Sequence, residues 1–148
     1  MIADLIKRLV GETEPEPLPQ DQARLALAAL MVRVARTDGV YSSEERQRID
    51  RVLSETYGLS ASEATALRTD GERAEADAPD TVRFTRVIKD AVPYEHRNSV
   101  VEALWRVAAA DGINADEHGL LRLVANLLGV SDQDSGLARQ KALKLYGE

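Results

Sequence analysis

The chain has 148 residues, 44% hydrophobic and 30% charged, with a formal net charge of −6, a pI near 5.0 and no cysteine. That length suits one domain with a real core, able to bury about 68–70% of its unfolded surface. The acidic balance argues against a nucleic-acid binder, and the lack of cysteine excludes disulfides, thiolate nucleophiles and Cys-ligated metal clusters, in keeping with a cytoplasmic protein.

Residues 2–10 carry Ile2, Leu5, Ile6, Leu9 and Val10 on one stripe and predict a short amphipathic helix. Lys7 and Arg8 add too little charge for an interfacial anchor, so this helix is expected to dock on the domain. No basic region leads into a long apolar stretch, so no signal peptide is expected. Gly11 ends the helix, and residues 12–19, ETEPEPLP, form a proline-broken acidic linker. Residues 1–19 are therefore read as an appended helix and linker, and residues 20–148 as the domain.

A helix over 20–37 has Leu27, Leu30, Met31, Val34 and Ala35 at core-facing spacing. Its longest apolar run, Leu25 to Val32, falls far short of the ~20 residues a membrane span needs. Asp38-Gly39 stops it, glycine supplying the left-handed conformation of a helix end. Ser42-Ser43-Glu44-Glu45 is a capping box that opens the next helix, whose stripe is Ile49, Val52, Leu53 and Tyr57 before Gly58. Ser60 to Glu63 is a second box, opening a helix toward residue 76. An acidic bend at residues 77–80 precedes a helix through Val82, Phe84, Val87 and Ile88.

A helix is expected from Pro93 through Val100, Leu104, Val107 and Ala108 to Asp111-Gly112. Asn114 to Glu117 forms another box, and Leu120, Leu121, Val124, Leu127 and Leu128 make the following core face up to Gly129. Ser131 caps a last helix carrying Leu137, Ala138, Leu143 and Leu145. No period-two strand occurs. The clusters Arg46, Arg48, Arg51 and Arg83, Arg86, Lys89 read as solvated helix faces.

Two stretches match each other. Residues 30–39, LMVRVARTDG, align with residues 103–112, ALWRVAAADG, superposing Arg33 on Arg106, Asp38 on Asp111 and Gly39 on Gly112. Self-similarity at a fixed offset marks a repeated supersecondary unit. The prediction is an all-α fold of seven to eight short helices in two pseudo-twofold-related helix–turn–helix units.

Each unit places an aspartate at its turn and a glutamate just inside the next helix, Asp38 with Glu45 and Asp111 with Glu117. Such oxygens can gather around a hard cation, Ca²⁺ or Mg²⁺ ahead of Zn²⁺. The competing reading is capping and turn chemistry alone, which stabilises by about 1 kcal/mol per cap and needs no ligand. The turns are not EF-hands, because Val40 and Ile113 occupy a position that such a loop gives to an acid. His96 and His118 form no helical metal-binding pair, and Trp105 reads as core or groove wall. No nucleophile–base pair, P-loop or dinucleotide fingerprint occurs, so no catalytic or cofactor-binding residue is assigned and the chain is expected not to be an enzyme.

The run PYEHRNSVVEALWRVAAADG (residues 93–112), with Glu117, Arg122 and ANLLGVS (residues 125–131), resembles the bacterial tellurite-resistance protein B (TerB) family. ALMVRVARTDGVYSSEERQRI (residues 29–49) resembles that family's first unit. The resemblance spans roughly residues 20–145. It implies an all-helical fold of two related units, a role in tellurite resistance or stress responses, protein partners often near the membrane, and divalent metal at the acidic turns. Position by position this falls on Asp38, Glu45, Asp111 and Glu117. A protein-interaction scaffold without metal is the alternative, and a metal-assisted hydrolase ranks third.

Overall fold

Capping chemistry fixes where three of the helices begin. Ser42, Ser60 and Asn114 each accept a hydrogen bond from the backbone N–H three residues on, and Glu45, Glu63 and Glu117 each accept one from the cap amide. All three expected boxes are thus closed. Gly58 ends its helix at φ 65°, and Gly39 and Gly129 also take positive φ, 83° and 78°, where a side chain would be strained.

The computed structural model describes residues 20–37, 39–78, 80–109 and 113–146. Its helices are α1 (Gln20–Arg36), α2 (Ser43–Tyr57), α3 (Ala61–Asp77), α4 (Val82–Ala91), α5 (Arg97–Ala108), α6 (Ala115–Leu127) and α7 (Asp132–Tyr146), with a 3-10 turn at Tyr94–His96 before α5. No strand occurs among the described residues, so the fold is all-α as expected. The expected helix over 2–10 and its linker lie outside them.

α1 is the axis of the core. Seven consecutive residues, Ala26 to Val32, are no more than 3% exposed, so the helix is covered all round and not along one stripe. Around it lie α2 to α6. Its counterpart α5 buries Val100, Val101, Leu104, Trp105 and Val107. Exchanging the halves (α1 for α5, α2 for α6, α3 for α7) carries each packing onto another. α1 on α3 matches α5 on α7, α2 on α5 matches α6 on α1, and α1 on α5 maps to itself. That is the packing expected of pseudo-twofold-related units. α4 fills the remaining side, against α1 and α6.

α1 and α3 cross in close contact at Gly71. A Cβ added to Gly71 would lie 2.8 Å from Ala28 Cβ and 2.9 Å from the Ala28 carbonyl carbon, so only glycine admits this crossing. Arg33 secures the far end of α3. Its Nε and Nη2 donate to Glu75 Oε2 at 3.2 Å, and Nη2 also donates to the Ala78 carbonyl at 2.6 Å. Arg106, aligned with Arg33 in the repeat, pairs instead with Glu55 of α2.

The joint into the second half differs from the expectation of a helix from Pro93. Pro93 is extended (ψ 150°), the chain makes one 3-10 turn, and α5 starts only at Arg97. Arg97 holds this joint by donating to three carbonyls, those of Val92, Lys89 and Leu128.

Candidate functional site

The helices that follow the two acidic turns open in the same way. α1 ends at Arg36, the Gly39 amide donates back to the Arg36 carbonyl at 2.9 Å, and Ser42 then caps α2. The Ser42 amide donates to Glu45 Oε1 at 2.9 Å, while the Glu45 amide donates to Ser42 Oγ at 3.1 Å. In the second half the Asn114 amide donates to Glu117 Oε1 at 3.4 Å and the Glu117 amide to Asn114 Oδ1 at 2.8 Å. The two glutamates therefore occupy equivalent places. They differ in solvation, Glu45 being half-buried and Glu117 only 8% exposed. Asp38 and Asp111 lie outside the described residues. Among the described residues, no three His, Asp or Glu side chains gather as a metal site.

The first turn is braced by a polar network. Tyr41, one residue before the cap, donates its hydroxyl to Glu72 Oε2 on α3 at 2.6 Å. Arg68 donates to the same oxygen at 3.0 Å and to Asp50 Oδ1 of α2 at 2.6 Å. The guanidiniums of Arg36 and Arg46 lie over the Tyr41 ring at 5.1 and 4.7 Å. Burial alone would raise the Glu72 carboxyl. The hydrogen bonds from Tyr41 and Arg68, with the positive charges of Arg68 and Arg46, outweigh it and hold Glu72 below its ordinary value. Burial and the Glu72 carboxylate push the Tyr41 hydroxyl up. In the second half Ile113 stands before the cap, where Tyr41 stands in the first, and packs on the core.

With this geometry in place, a family model described as tellurite resistance protein TerB matches residues 24–140. The chain belongs to the TerB family. Comparison with curated proteins and with solved structures returned no match. The TerB match takes in both acidic turns and both capping glutamates. No described helix is long and apolar enough to cross a membrane.

Within this TerB fold the sequence reading of the turns missed their surroundings. The Tyr41–Glu72–Arg68–Asp50 network joins residues 31 and 18 positions apart, and only Arg68 with Glu72 left a local sign, an i,i+4 pair on α3. His118 follows Glu117 in sequence. Its ring lies edge-on to Trp105, with centroids 5.5 Å apart.

Proposed function

We propose that this chain is a non-enzymatic cytoplasmic TerB module, serving tellurite resistance or a wider stress response, that takes up a divalent cation at its acidic turns and signals to a protein partner. The observation carrying this reading is the matched placement of Glu45 and Glu117. Each sits at the third position of the helix that follows a family turn, its carboxylate fixed by a capping box. A carboxylate with one oxygen bonded to an amide keeps lone pairs for a metal. Glu45 Oε2 has no hydrogen bond to any described residue, and the aspartates of the two turns supply further hard oxygens.

This donor set fits Ca²⁺ or Mg²⁺, which prefer oxygen ligands. It suits Zn²⁺ poorly, because the chain has no cysteine and the His118 ring packs on Trp105. Asp38 with Glu45, and Asp111 with Glu117, would hold the ion. A cation there would neutralise each turn's acids and tie the end of one helix to the start of the next. The absence of enzymatic chemistry is supported by the serines. The hydroxyls of Ser42, Ser60 and Ser131 are engaged in capping, not aimed at a base.

A scaffold without metal is the second reading, favoured by Leu137 and Leu145, 57% and 61% exposed about two turns apart on α7. A thermal-shift titration separates the two. Ca²⁺ or Mg²⁺ should raise the melting temperature of the wild-type chain and leave an Asp38→Asn/Asp111→Asn variant unmoved. No rise with either ion would leave the scaffold reading alone.

A further inference from the structure

We propose that a pocket between α5, α6 and α7 binds a small free oxyanion, tetrahedral or carboxylate, through Arg139, Ser135 and Arg122. The cavity is about 160 Å³, with Trp105 as its wall. That is below the roughly 300–1,000 Å³ of pockets for drug-sized ligands, and it suits an ion of a few heavy atoms.

Its lining presents donors in need of an acceptor. Ser135 is 5% exposed, and its Oγ accepts the Trp105 indole N–H at 3.0 Å. A hydroxyl used as an acceptor still holds a proton to donate, and no described residue receives it. Arg139 lies over the Trp105 ring, its guanidinium carbon 5.9 Å from the centroid. Its Nε is buried without a hydrogen-bond partner, and it makes no ion pair with any described residue. A half-buried guanidinium lying on an indole is a planar fork suited to an oxyanion.

At the rim Arg122 pairs with Asp132 at 2.9 Å, but both side chains are more than half exposed, 61% and 55%. Such a solvated pair is worth little and yields readily to a second anion. Gly136 completes the wall. Glycine inside a helix costs about 1 kcal/mol relative to alanine. A Cβ at Gly136 would meet nothing within 4 Å, so packing gives no reason for it. Gly136 lines the cavity, and a methyl group on this wall would narrow the space left for the ion. None of these groups is a proposed cation ligand, so the pocket stands or falls apart from the acidic turns.

Trp105 is the only tryptophan in the chain, so its emission reports on this pocket. The full chain in EDTA would be titrated with sodium phosphate and, separately, sodium acetate, with sodium chloride holding ionic strength constant. A saturable emission change with at least one anion is expected, phosphate alone marking a tetrahedral ligand and acetate a carboxylate. Arg139→Leu should weaken it by about tenfold or more, the loss of one hydrogen bond to a charged group. Gly136→Ala should do the same. Gly119→Ala, at an equally open helical glycine outside the pocket, should bind as wild type. Should Arg139→Leu fail to fold, the two glycine variants decide. Emission that follows chloride as it follows both anions, or undiminished binding by Gly136→Ala, would overturn the proposal.

Discussion

Replacing Gly71 by alanine tests the packing that builds the first unit. The added methyl would stand 2.8 Å from Ala28 Cβ, 2.9 Å from its carbonyl carbon and 3.1 Å from the Ala29 nitrogen. Ordinary contacts begin near 3.4 Å, so α3 must retreat from α1 by more than half an ångström, and backbone cannot rotate aside as a long side chain would. Overpacking of this kind costs about 1–3 kcal/mol, and the unyielding partner puts it near the top of that range. Alanine recovers about 1 kcal/mol of helix propensity. The net loss is about 2 kcal/mol, or roughly 4–8 °C in melting temperature for a chain of this size. Gly119→Ala is the control, since its Cβ meets nothing within 4 Å and should raise the melting temperature by about 2–4 °C. Thermal unfolding followed by far-UV circular dichroism reads both. A Gly71→Ala chain as stable as wild type would refute the reasoning.

Three further outcomes are expected. Arg33→Met strips donors from Glu75 and the Ala78 carbonyl, and should cost about 3 kcal/mol by urea unfolding, moderated because Arg36 still pairs with Glu75 at 3.2 Å. A loss under about 1 kcal/mol would show that the clamp is not holding α3. Burial pushes the Tyr57 hydroxyl from 10.0 up to about 12, so between those pH values the unfolded chain sheds a proton that the folded chain keeps. Stability should therefore be intact below pH 10 and fall from there to pH 12, with a shallower fall in Tyr57→Phe; a urea midpoint flat over that range in wild type would contradict it. At the other extreme Glu72 titrates below 4.5 in the folded chain. Its contribution is present above that pH and lost as pH falls further, so Glu72→Gln should lose less stability on acidification than wild type does.

Features set by neighbouring residues were legible in the sequence. Ser42 with Glu45, Ser60 with Glu63 and Asn114 with Glu117 are local devices, and each closed where its spacing placed it. Gly39, Gly58 and Gly129 likewise follow from the backbone alone. Features needing a distant partner were not. The stripe on α1 marked one face, but α2 to α6 surround it and bury its other side as well. Leu137 and Leu145 lie on a helix whose inward face is held by Ala138 and Ala142, which leaves both leucines exposed. At the candidate site the glutamates were readable as third-position acids, whereas Tyr41's bond to Glu72 arises only when the first turn meets α3, and the cradle around Trp105 only when α5, α6 and α7 meet.

Uptake of a hard cation by the matched turns is the central claim. Isothermal titration of the full chain with calcium chloride, and then with magnesium chloride, measures that directly. Saturable heat is predicted for the wild-type chain with at least one ion, reduced in Asp38→Asn or Asp111→Asn and abolished when both are combined. Titrations that show only dilution heat for wild type, or the same isotherm in the double variant, would contradict it.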